Sequence, residues 1–181
     1  MGYPLRNLEL GQTHHVYTRC IDRKMYLKTR QMKRLLLSAI RKTQKKYNFE
    51  LNGLTVMHNH VHFIITTIKG GDTLNYIMQY IKSIFAIKFN KLHNRSGPFW
   101  TGRYKDEVIE YIRKSEVYLN NLIIYLGLNP VKAQIVEKPE DYLWSTFNLY
   151  MQGKHDLPIE IKIHPMFDIE YVLNQLKNNY D

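Results

Sequence analysis

Cysteine is nearly absent from this 181-residue chain: Cys20 stands alone, which excludes an intramolecular disulfide and fits a reducing cytoplasm. Long apolar runs are missing too. No stretch approaches the roughly 20 residues that a membrane-spanning helix needs, so no membrane association is expected. The first residues, MGYPLRNLELGQTHH, lack an apolar core of the secretory kind, and no secretory signal is expected. Internal repeats, low-complexity tracts and Pro/Gly/Ser linkers are also missing. One domain over 1–181 is therefore expected, with its core at about 13–150 and a C-terminal extension over 151–181.

Acidic residues are few. Sixteen Asp and Glu face 26 Lys and Arg, a formal net charge of +10, and such an excess points to a polyanionic partner, nucleic acid first. Fourteen tyrosines and stretches such as GPFWTGRYK (97–105) interleave basic and aromatic residues, which suits a groove that follows a strand backbone and stacks unpaired bases. The ordinary alternative is a basic enzyme whose aromatic residues fill its core.

Periodicity gives the elements. Residues 14–22 read as a first strand. A helix over 29–47 has Thr29 as N-cap, with Met32, Leu35, Leu36, Ala39 and Ile40 inward and Lys33, Arg34 and Arg41 outward. Two strands, 49–57 and 60–68, meet at a tight His58-Asn59 connection. A helix over 73–93, a short strand over 104–110 and a helix over 113–128 follow, the last ending at Asn129-Pro130. Helices near 141–151 and 169–179 complete the chain. The order β-α-β-β-α-β is an α+β, ferredoxin-like split βαβ arrangement: a four-stranded antiparallel sheet with helices on one face, plus C-terminal helices. That fold hosts many functions, so chemistry must come from the site.

The segment VMHNHVHFII (56–65) carries His58, His60 and His62. Alternation places His60 and His62 on one face, with Val61, Phe63 and Ile65 on the core face. Two imidazoles about 7 Å apart along a strand can share a divalent ion, which needs further ligands. In the helix after residue 113, Leu119, Leu122, Ile123 and Leu126 form the core stripe. Tyr125 and Asn129 lie one turn apart on another face. A tyrosine hydroxyl can attack phosphorus covalently, and an amide can supply an oxygen ligand to the ion. Tyr118 reads as an ordinary surface group. The three histidines also approximate the histidine-triad pattern of nucleotide hydrolases, although Asn59 stands where that pattern wants an apolar residue.

Three segments in order carry a more specific likeness. VMHNHVHFII resembles the hydrophobic-Met-Pro-Asn-His-hydrophobic-His segment of single-tyrosine HUH transposases. GPFWTGRYKDEVI resembles their Gly-x-(Leu/Ile)-Trp-Gln-x-Arg-(Phe/Tyr) stretch. IIYLGLNPVKAQIV resembles their tyrosine helix, in the form found in REP-associated tyrosine transposases. The resemblance covers about 16–150. It implies that His60 and His62 bind Mg²⁺ or Mn²⁺, that Asn129 is a third ligand and that Tyr125 is the nucleophile. The implied reaction cuts single-stranded DNA next to a hairpin, leaving a 5′-phosphotyrosine and a free 3′-OH. Arg103, Lys105 and Lys132 would hold the strand, and Trp100 or Phe99 would stack on a base. His58 replaces a usual Pro, Thr101 a usual Gln, and Gln134 a common Gly. The expected assembly is a monomer or homodimer, with the monomer favoured. The rival readings are a non-catalytic DNA-binding regulator and an RNA-binding ferredoxin-like domain. The latter expects aromatic residues on the central strands, where this chain has His60 and His62.

Overall fold

The computed structural model describes residues 9–180; residues 1–8 and 181 of the expected domain lie outside the described residues. Its sheet has the order β2-β3-β1-β4, built from β1 (Thr13–Arg19), β2 (Phe49–Val56), β3 (His60–Thr67) and β4 (Lys105–Val108), all neighbours antiparallel. This is the ferredoxin-like order. Two helices, α1 (Arg30–Gln44) and α2 (Leu74–Leu92), pack on one face over Val16, Val61, Phe63 and Ile65. Thr29 caps α1 as expected, its hydroxyl accepting from the Met32 N–H at 3.3 Å.

On the second face lies α3 (Ser115–Lys132), whose Leu119, Leu122, Ile123 and Leu126 bury against Ile64, Ile109 and Tyr150. Beside it the end of the sheet carrying His60 and His62 lines an open cleft. After α3 come α4 (Phe147–Gln152) and α5 (Ile169–Tyr180).

Four expectations are corrected. β1 ends at Arg19, and residues 21–23 form a tight turn with Asp22 and Arg23 at positive φ. The α3 helix does not stop at Asn129-Pro130 but runs to Lys132. A proline at 130 removes the N–H that would serve the Leu126 carbonyl, and the buried Thr55 hydroxyl donates to that oxygen instead, at 3.1 Å. The helix anticipated over 141–151 is broken, because residues 144–146 bond along the outer edge of β2: the Val56 N–H donates to the Trp144 carbonyl and the Thr146 N–H to that of Leu54, both at 2.9 Å. Lys33 is not on a solvated face. It is 3% exposed, with Nζ donating to the Tyr142 hydroxyl at 2.8 Å and resting on the Tyr142 and Trp144 rings.

One close approach fixes how α3 sits. A Cβ built on Gly127 would lie 2.2 Å from the Phe147 ring, so glycine alone lets α3 and α4 come this near.

Among the described residues no helix is long and apolar enough to cross a membrane.

Candidate active site

Strand alternation brings His60 and His62 of β3 onto the open face, and the register sets Arg19 of β1 opposite His60 and Tyr17 opposite His62. On the other side of β1, Glu107 lies opposite His15 and Lys105 opposite Tyr17. The helix α3 closes the cleft with Tyr125 and Asn129. Together these residues and Asp106 line an open cleft of about 670 Å³. So the structure unites His60, His62, Tyr125, Asn129 and Lys105, which lie far apart in sequence.

The rings are close. His60 and His62 stand edge to face with centroids 5.1 Å apart, and Tyr125 meets His62 at 5.5 Å and 89°. Tyr17 sits beside both histidines, 5.4 Å from His60 and 4.9 Å from His62, with the Arg19 guanidinium 5.1 Å above its ring. Tyr125 is 41% exposed, at the mouth, whereas His62 is 3% exposed.

Protonation follows from burial. Burial, then Arg19, lowers the His60 pKa to about 4. Burial, then the neighbouring His15, His60 and Arg19, lowers that of His62 to about 2. Both rings are neutral near pH 7, the state in which imidazole offers a lone pair. Burial raises the Tyr17 pKa, against the opposing pull of Arg19.

Hydrogen bonds fix the proton on His60. The Asn59 amide nitrogen donates to the Arg23 carbonyl at 3.1 Å, which turns its oxygen towards His60 Nδ1, 2.6 Å away. A carbonyl oxygen only accepts, so Nδ1 carries the proton and Nε2 keeps its lone pair. On His62, Nδ1 lies 3.0 Å from His15 Nε2. His62 Nε2 is buried and has no protein partner among the described residues, and the same holds for the Asn129 amide nitrogen. Among the described residues no three His, Cys, Asp or Glu side chains form a metal cluster. The third group beside the histidines is the amide of Asn129. The donor set of two neutral imidazoles and an amide, with a buried His62 nitrogen that has no protein partner among the described residues, suits a divalent ion that keeps open positions for other oxygens.

Other expected residues fall elsewhere. Trp100 and Phe99 are 6% and 1% exposed, packed with Phe85 and Phe89, and the indole N–H donates to the Lys82 carbonyl at 3.1 Å. Neither presents a ring face to a base, because the core on α2 claims both. Arg103 is exposed and lines a separate pocket with Tyr76 and Lys82, while Lys132 is exposed in the last turn of α3. His58 is not among the cleft residues; its backbone carbonyl accepts from the Leu27 N–H, and burial, then Lys33 and Lys28, lowers its pKa.

Sequence reasoning missed His15, Tyr17, Arg19, Glu107 and the role of Asn59. The signal was present for three of them: strand alternation applied to β1, beside β3 in this topology, puts His15, Tyr17 and Arg19 on the histidine face.

Known proteins resemble this chain over most of its length. Residues 10–119 match the family model described as "Transposase IS200 like", a stretch that includes His15, His60 and His62 of the cleft and ends before Tyr125. A putative REP-associated tyrosine transposase of Haemophilus influenzae is 26% identical over 118 residues, 61% of this chain and 66% of that protein. A REP-associated tyrosine transposase of Escherichia coli K12 is 30% identical over 127 residues, 70% of this chain and 71% of that protein. The matched stretch thus spans about two thirds of each curated relative. Among solved structures, a REP-associated tyrosine transposase bound to a REP hairpin superposes with a TM-score of 0.69 at 25% identity, covering 91% of this chain and 94% of that one.

Proposed function

The chain belongs to the IS200-like transposase family, in its REP-associated tyrosine transposase branch, and from that premise we propose that it cuts and rejoins single-stranded DNA beside a hairpin through Tyr125. The observation that carries the reading is the meeting of Tyr125 with His62, ring to ring at 5.5 Å, in one cleft with His60 and Asn129. All of these line one cleft within one copy of the chain, which supports the notion that a single copy carries the reacting groups.

The Tyr125 oxygen attacks the scissile phosphorus, an O–P bond to tyrosine forms, and the bond to the 3′-oxygen breaks. The products are a 5′-phosphotyrosine and a 3′-OH. The phosphodiester energy stays in the new bond, so a 3′-OH from another strand reverses the step and rejoins DNA without a nucleotide cofactor. His60 and His62, through Nε2, and Asn129, through its amide oxygen, would hold Mg²⁺ or Mn²⁺. When bound, that ion supplies Lewis-acid polarisation of the phosphate.

Arg19 and Lys105 bring positive charge to the cleft, and the net +10 attracts the phosphate backbone over a longer range. Arg103 and Lys132, both exposed, extend that charge beyond it. The hairpin in the solved relative supports a hairpin substrate here as well.

The test is incubation with an end-labelled hairpin that carries a single-stranded flank, with Mn²⁺ or with EDTA, followed by a denaturing gel. A covalent adduct formed only with metal is expected. Tight binding without any adduct would overturn the reading in favour of a DNA-binding regulator.

A further inference from the structure

The histidine pair can offer two lone pairs to one ion only if both rings carry their proton on Nδ1. Asn59 enforces this for His60. For His62 the neighbour at Nδ1 is a second imidazole, which is able to donate or to accept, so something further must choose. We propose that His15, oriented by Glu107, is a positioning residue that locks His62 in the Nδ1–H tautomer. The inference rests on the metal-binding reading above, and it concerns this chain's own hydrogen bonds.

A hydrogen bond between His62 Nδ1 and His15 Nε2, 3.0 Å apart, needs one N–H and one lone pair. In one arrangement His62 donates, and its Nε2 lone pair faces the cleft. In the other His15 donates, and the His62 proton moves to Nε2. That atom is buried and has no protein acceptor among the described residues, so this arrangement strands an N–H in the cleft.

Glu107 breaks the remaining symmetry. It is the direct cross-strand partner of His15 on the same face of the sheet, and its negative charge acts on that ring. A carboxylate beside His15 favours a proton on the ring nitrogen not used by His62, which is Nδ1, and leaves Nε2 as an acceptor. Glu107 is itself held, because the Tyr118 hydroxyl donates to its Oε2 at 2.6 Å. The His15 and His62 rings are near-parallel, 19° apart with centroids at 5.3 Å, the side-by-side arrangement that an in-plane N–H···N bond requires. Tyr118, Glu107, His15 and His62 thus form a polar row from α3 across β4 and β1 to β3. Its effect is to aim one lone pair. Partners of this kind behind metal-binding histidines typically change affinity about 10- to 100-fold when removed.

The test uses the full-length, metal-free, ¹⁵N-labelled protein and two variants, His15→Leu and His15→Gln, each first shown to be folded by circular dichroism. Glutamine can place an amide oxygen near the position of His15 Nε2. Long-range ¹H–¹⁵N spectra report the His62 tautomer directly, and calorimetric titration with Mn²⁺ alone reports affinity. The wild type is expected to show the Nδ1–H form. His15→Leu is expected to lose that preference and about 10-fold or more in Mn²⁺ affinity, and His15→Gln to recover most of both. A wild-type His62 protonated on Nε2 would overturn the proposal, as would a His15→Leu protein with unchanged tautomer and affinity. A wild type that shows the Nδ1–H form yet binds no Mn²⁺ would support the lock and count against the metal-binding reading instead.

Discussion

The Tyr125 ring stands perpendicular to that of His62, at 89° and 5.5 Å between centroids, with the tyrosine at the mouth of the cleft and the histidine at its floor. The proposed DNA strand, entering from solvent, would meet the hydroxyl first. The Tyr125→Phe variant keeps the ring and removes the attacking oxygen. We expect the covalent adduct on a labelled hairpin to fall to background while hairpin affinity stays close to wild type in a mobility-shift titration. An adduct formed by the variant would show that another nucleophile is at work.

Asn59 acts on His60 as His15 acts on His62. With its nitrogen tied to the Arg23 carbonyl, its oxygen accepts from His60 Nδ1 at 2.6 Å. Asn59→Ala should weaken Mn²⁺ binding about 10-fold or more in calorimetric titration, and Asn59→Asp, which retains an acceptor, should keep most of it. Equal affinity in the alanine variant and the wild type would remove Asn59 from the site.

Lys33 gives a pH signature. Burial lowers its pKa from 10.5 to about 8. Between those values the unfolded chain holds a proton that the native state has released, so stability rises with pH across that window. The slope is at most about 1.4 kcal/mol per pH unit. Burial pushes the Cys20 thiol up to about 12, so it ionises first in the unfolded chain and draws stability down above about pH 8.5. Lys33→Met removes the lysine term and leaves the thiol term, so from about pH 8 to 9.5 the wild type's urea-unfolding free energy should rise relative to the variant's. Parallel profiles for the two proteins would refute the assignment.

Gln134 holds a backbone conformation that suits glycine. At φ 54° it follows the end of α3, with its N–H on the Val131 carbonyl at 2.8 Å and the next N–H, of Ile135, on Pro130 at 2.9 Å. That pair of bonds is the left-handed helix stop in which glycine is usual. Gln134→Gly should stabilise the protein by about 0.5–1 kcal/mol, read as a higher urea midpoint with unchanged slope. A lower midpoint would contradict this.

Much of the fold was legible because the apolar positions repeat cleanly. The stripes of α1, α2 and α3 and the alternation of β3 all point to the faces they bury. Boundaries failed where a distant residue intervened. Thr55 serves the carbonyl that Pro130 leaves unpaired, and nothing local to 129–130 signals it. Lys33 sits on the charged side of α1 by spacing, but Tyr142 and Trp144 arrive from more than 100 positions later to cover it. Trp100 and Arg103 lie three residues apart in a basic, aromatic stretch, and only packing reveals that the first is core and the second surface. In the site, His60, His62, Tyr125 and Asn129 were legible from strand and helix periodicity together with motif order. The residues behind them were not, since a hydrogen bond between β1 and β3 has no sequence signature beyond a shared face. The glycine that the resembled family commonly has at position 134 suits the left-handed backbone found there, and nothing in the structure explains the glutamine.

Gly127 lies midway between Tyr125 and Asn129, with the Phe147 ring where a side chain would be. It therefore acts as a depth stop for the helix, and a single added methyl group would jack α3 away from α4. The Tyr125 hydroxyl and the Asn129 amide would then move together relative to a floor of histidines that stays still. Since misplacement by about 1 Å can cost some 100-fold in rate, the reach of the proposed nucleophile is adjustable from a position outside the cleft lining.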